Sequence, residues 1–126
     1  MAALTKELSI LVVEGDRRKG DMMFHNEWLR RDTHDVHDYL TGTDAFLAVL
    51  HNLKYDIAVL SRDKWYDIMP PEHIIILSKH LHPSVPIIST SRRYQAKSKG
   101  ADAFLKVPYT YGDLDQCIGQ LRLAFT

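Results

Sequence analysis

One pattern constrains this chain more than any other. Short, nearly continuous apolar runs recur: "LSILVVE" (Leu8–Glu14), "YDIAVL" (Tyr55–Leu60), "VPIIST" (Val85–Thr90) and "ADAFLKV" (Ala101–Val107). Between them lie segments whose apolar residues repeat with helical spacing. A strand apolar at every position is buried on both faces, as in a parallel sheet covered by helices on each side. A more polar run, His34–Leu40, predicts a further strand near a sheet edge.

The intervening segments predict helices. Asp16 caps one over about Arg17–Arg31, where Phe24 and Trp28 share a face at i, i+4. "TGTDAFLAVLHNL" predicts another, with Phe46, Val49, Leu50 and Leu53 on one stripe. Ser61–Pro71 reads as a loop, because Pro70-Pro71 continues neither a helix nor a ladder. Pro71 suits the start of the next helix, over Glu72–His82, with Ile74, Leu77 and Leu81 facing inward. "SRRYQAKSKG" leaves room for only a short helix stopped by Gly100, and Gly112–Phe125 forms the last, lined by Leu114, Cys117, Ile118, Leu121 and Phe125.

Strands alternating with helices imply one α/β domain spanning residues 1–126, a doubly wound, five-stranded parallel sheet of (βα)5 type with right-handed crossovers. Acidic and basic residues balance at 16 each, so no overall field favours nucleic acid or an anionic membrane. The lone Cys117 excludes an internal disulfide and suits a reducing cytoplasm. No apolar run approaches the roughly 20 residues that span a bilayer, and the N-terminal segment is too short, and lacks a cleavage site, for a secretory signal. The expectation is a cytoplasmic domain with no membrane insertion.

In such sheets function collects beyond the carboxyl ends of the strands. That edge gathers Glu14-Gly15-Asp16, Ser61, Ser89–Ser91 and Lys106–Pro108. The stretches "ILVVEGD", "YDIAVLS", "VPIISTS" and "GADAFLKVPY" resemble the receiver domain of two-component response regulators over essentially the whole chain. The resemblance implies the flavodoxin-like, CheY-like fold with a shortened fourth helix, the Ser91–Gly100 segment being roughly six residues shorter than the family's loop and helix.

The resemblance also implies a chemistry from which this sequence departs. The family uses adjacent acids to hold magnesium, an aspartate to accept the phosphoryl group, and a hydroxyl and a lysine to contact it. Glu14 matches the first acid, but Gly15 stands where the second belongs, with Asp16 one residue beyond. Ser61 occupies the phosphoacceptor position, Ser91 matches the hydroxyl with Thr90 as alternate, and Val107 replaces the lysine. Lys106, one residue earlier, falls on the opposite side of its strand. Phe104 matches the family's aromatic switch position, paired with Ser91. The Val107–Pro108 bond is cis by resemblance. The implied protein is a degenerate receiver, neither enzyme nor cofactor-binder, with no metal site expected.

Two places are left to meet partners. Trp65 and Tyr66 lie in a loop expected at the surface, or folded over the pocket as a lid. Arg92, Arg93, Lys97 and Lys99 form a cluster without an acid, suited to an acidic partner or a nucleotide phosphate, or simply solvated. The leading expectation is a phosphorylation-independent signalling module binding a protein partner or itself, as a homodimer. The alternative is an atypical receiver, or a nucleotide or metabolite sensor regulating an attached or partner output domain. An enzyme using Ser61 as nucleophile is disfavoured, since Leu60 and Arg62 replace the elbow glycines. No helix-turn-helix is legible, so direct nucleic-acid contact is not expected.

Overall fold

The computed structural model describes residues 8–13, 34–39, 41–62, 69–92, 94–107 and 109–124. Its strands are β1 (Ser9–Val13), β2 (Asp35–Tyr39), β3 (Ile57–Ser61), β4 (Ile87–Ser91) and β5 (Ala103–Lys106). All pair in parallel, in the order β2-β1-β3-β4-β5. The helices described are α1 (Gly42–Leu50), α2 (Pro71–Leu81) and α3 (Tyr111–Ala124). The expected helix over 17–31 lies outside the described residues. So does the Val107–Pro108 bond.

The apolar runs of β1, β3 and β4 are buried on both faces, as predicted, whereas β5, the other edge strand, is only partly buried. Leu11, Val13, Ala58, Leu60 and Ile87 point to one side, where Ala45 and Val49 of α1 and Ile74 and Ile75 of α2 pack on them. Ile10, Val12, Ile57, Val59 and Ile88 point to the other, against Leu114 and Ile118 of α3. The outer strand β2 is only partly buried, which explains its polar sequence.

Helix ends follow local chemistry. Thr41 caps α1, its Oγ1 accepting from Asp44 N at 3.1 Å. At the other end, Leu53 N donates to Ala48 O and Asn52 N to Val49 O, with Asn52 at φ 77°. This is a Schellman turn, with asparagine in the left-handed position usually given to glycine. Pro71 opens α2, and Thr110 and Asp113 cap α3 reciprocally, each side chain accepting from the other's backbone N–H at 3.0 Å.

Three expectations are corrected. Residues 94–102 form bends and turns with no helical turn, so the predicted short helix is replaced by an irregular β4–β5 loop. Leu50 and Leu81, expected to face inward, are exposed. Each is the last residue of its helix, where the chain turns away from the sheet and the apolar stripe runs past the core.

Candidate functional site at the carboxyl edge

Sheet register decides which side chains meet at this edge. The chain runs from β1 outward to β2, then crosses to β3 on the other side of β1. The order reverses there, so a crevice opens beyond the ends of β1 and β3. Ser61 is the last residue of β3 and only 4% exposed. Its register partner is Thr90 of β4, on the face packed by α3. Thr90 Oγ1 is buried and, among the described residues, has no hydrogen-bond partner. Val107 is buried just past β5, its N–H donating to Ser91 O at 2.8 Å.

A carboxylate would bring negative charge and, with phosphate, form an acyl phosphate. Ser61 brings a neutral hydroxyl. The apolar Val107 side chain offers no positive charge to a phosphoryl oxygen.

The other face of β4 carries a different arrangement. Ser91 Oγ accepts from Tyr94 N at 2.8 Å, and Ser89 Oγ accepts from Ser98 N at 3.0 Å. Ser89, Ser91 and Ser98 are all buried. These hydroxyls hold the backbone of the β4–β5 loop, competing with the helical pattern as serine hydroxyls do. Phe104 sits in register with Ser89, not Ser91, and is partly buried on that face. The expected switch pair therefore shares a face but is offset along the strands.

Cations complete the loop's hydrogen bonding. Lys106 Nζ donates to Arg92 O, and to Tyr94 O at 3.1 Å. Arg62 Nη1 reaches Ala96 O at 3.0 Å and Lys97 O at 3.4 Å, and its guanidinium lies 4.2 Å from the centre of the Tyr94 ring. Lys97 Nζ donates to Ala101 O at 2.7 Å. Arg62 N–H also donates to Thr90 O at 2.7 Å, extending the β3–β4 ladder by a residue.

Sequence reading passed over Arg62 as a functional residue. A signal for it was present: a segment too short for a full helix still has carbonyls that need donors, and Arg62 follows a buried strand directly at that edge. Of the predicted site residues, Ser61, Ser91 and Val107 stand at the edge, while Arg92, Lys97 and Lys99 lie on the β4–β5 loop. Glu14, Gly15, Asp16, Trp65, Tyr66 and Arg93 lie outside the described residues.

One histidine constellation is found away from this edge. His37 Nε2 is 3.0 Å from both Ser9 Oγ and Asp35 Oδ2. Both partners meet the same ring nitrogen, so no serine–histidine–aspartate relay is formed, because a relay uses both nitrogens. The cluster stands at the opposite, amino end of the sheet.

No protein-family model matches the chain, and no curated protein does. Solved structures match in fold. A response regulator receiver protein from Sinorhizobium medicae WSM419 superposes with TM-score 0.82 at 15% identity, covering 96% of this chain and 98% of that one. The receiver domain of Francisella response regulator 1452 gives 0.74 at 17%, covering 95% and 100%. The receiver domain of the hybrid histidine kinase CckA gives 0.72 at 17%, covering 90% and 97%. The chain has the receiver-domain, flavodoxin-like fold.

Proposed function

We propose that the protein is a pseudo-receiver: a cytoplasmic, non-catalytic signalling module of two-component type that works without phosphorylation, by binding a protein partner or a second copy of itself. One observation carries the reading. Ser61, at the end of β3, is a buried hydroxyl, and by resemblance it stands at the phosphoacceptor position, where phosphoryl transfer from a phosphohistidine needs a carboxylate. Val107 supports it, since it supplies no cation for the phosphoryl oxygens. Thr90, the alternate hydroxyl, is in register with Ser61, while Ser91 lies on the other face of β4 and is engaged by Tyr94 N–H at 2.8 Å.

The test is an amide NMR titration of the domain with magnesium and then beryllofluoride, which mimics the phosphoryl group. The expected result is no saturable shift at millimolar ligand. Shifts clustered around Glu14, Asp16, Ser61 and Ser91 would replace this reading with an atypical but switchable receiver.

A further inference from the structure

Among the described residues, Arg62, Lys97, Lys99 and Lys106 at the β4–β5 loop make no ion pair. Arg62, Lys97 and Lys106 hydrogen-bond to the carbonyls of Arg92, Tyr94, Ala96, Lys97 and Ala101. A carbonyl dipole orients a cation but leaves its net charge in place. Asp102, the described acid nearest the loop in sequence, is taken by Lys79 Nζ and Ile87 N, each at 2.7 Å. Lys99 is exposed and, among the described residues, in no ion pair. Lys97 and Lys99 on the loop, with Arg62 and Lys106 beside it, thus gather positive charge that is in no ion pair among the described residues.

The loop is also held in shape. Hydroxyls of Ser89 and Ser91 grip it from below, while Arg62 and Lys106 tie it from the strand ends on either side. Tyr94, stacked under Arg62, remains 48% exposed. A fixed surface pairing an aromatic ring with cations complements a segment that has carboxylates beside an apolar side chain.

We propose that this loop is a preformed docking surface for an acidic segment of a protein partner, and that Arg62 is the residue that fixes its shape. The proposal rests on the phosphorylation-independent reading, because the loop's form is set by internal cations and needs no phosphoryl group.

The experiment is an amide NMR titration of the whole 126-residue chain at low ionic strength. The probe is a short synthetic peptide of glutamates flanking one leucine and one phenylalanine. Parallel arms use an oligothymidine, and magnesium with beryllofluoride. The expected result is saturable shifts at Tyr94, Gln95, Lys97 and Lys99 that weaken with added salt. Lys99→Glu should weaken peptide binding roughly fivefold without altering the melt, because its charge is solvated. Arg62→Met should weaken it by about tenfold while the strands' amide shifts stay in place, since only the loop loses its anchor.

No loop shifts at millimolar peptide, with beryllofluoride also silent, overturns the docking surface and leaves the pseudo-receiver reading standing. Tighter binding of oligothymidine than of peptide at the same amides overturns it in favour of a nucleic-acid surface. A beryllofluoride response that moves the loop's signals overturns both, because the loop would then be phosphate-switchable.

Discussion

Tyr55 shows how one buried polar contact fixes the join between sheet and helix. It immediately precedes Asp56 and β3, and its hydroxyl donates to Ser78 Oγ of α2 at 2.6 Å, with both residues buried. Its ring meets His82 edge-on, with centroids 5.2 Å apart. Burial pushes the Tyr55 phenol above its ordinary value, and the Ser78 bond opposes this more weakly. The folded chain therefore holds this proton after the unfolded chain has lost it. Stability from Tyr55 is complete below about pH 10 and falls as pH rises through that range. Tyr55→Phe should cost about 1–2 kcal/mol at neutral pH and flatten the alkaline loss. Urea midpoints of both forms across the alkaline range check this; parallel slopes would sink the assignment. Burial also raises the Cys117 thiol, with the same sign, so Cys117→Ala is the control.

Gly100 is constrained twice over. Its φ is +89°, and a Cβ there would lie 2.9 Å from Ile75 Cγ2, on a side chain that is 2% exposed and has nowhere to move. Gly100→Ala should lose about 1–3 kcal/mol, from left-handed strain plus overpacking. A thermal melt reads it directly, and an unchanged midpoint would mean the loop reshapes freely around the methyl group.

At the scale of elements, Asp102 joins α2, β4 and the entry to β5. Its Oδ2 accepts from Lys79 Nζ and from Ile87 N, both at 2.7 Å and partly screened from solvent. Asp102→Asn keeps the shape and removes the charge, and should cost about 1–2 kcal/mol. Denaturation at low and high salt checks this. A deficit that vanishes in high salt would mark the pair as surface electrostatics only.

Much at this scale was legible in the sequence, and the failures have identifiable causes. The central strands announced themselves because burial on both faces leaves apolar residues at every position. Their starts were placed early, at Tyr55 and Val85. The ladders begin at Ile57 and Ile87, past Asp56, which is exposed, and Pro86, which has no N–H to donate. The β4–β5 loop misread as a helix for a non-local reason. Its carbonyls are satisfied by Arg62 and Lys106, which lie outside the segment, and its N–H groups by serines of β4. Periodicity within ten residues carries no trace of such partners. Ser61, Ser91 and Val107 were legible because strand ends fix position, whereas Arg62 entered only as the residue after Ser61.

At the scale of the whole molecule, the strand order sets the crevice, and the crevice decides what one substitution can restore. Ser61→Asp would place a carboxylate at the end of β3, in register with buried Thr90, whose Oγ1 has no hydrogen-bond partner among the described residues. Desolvating a charge at a 4% exposed position is costly. Burial favours the neutral carboxyl, so the penalty should grow as pH rises above the unfolded value near 4. The variant should be about 1–3 kcal/mol less stable than the parent at neutral pH and recover part of that by about pH 5. It should gain no phosphoryl mass from acetyl phosphate, because Val107 provides no cation and Gly15 no second acid for magnesium. Adding Gly15→Asp and Val107→Lys should restore both stability at neutral pH and a phosphoryl adduct visible by intact mass. An adduct on the single variant would mean that a carboxylate at the end of β3 is enough for acceptance. No adduct on the triple variant would place the barrier outside these three positions.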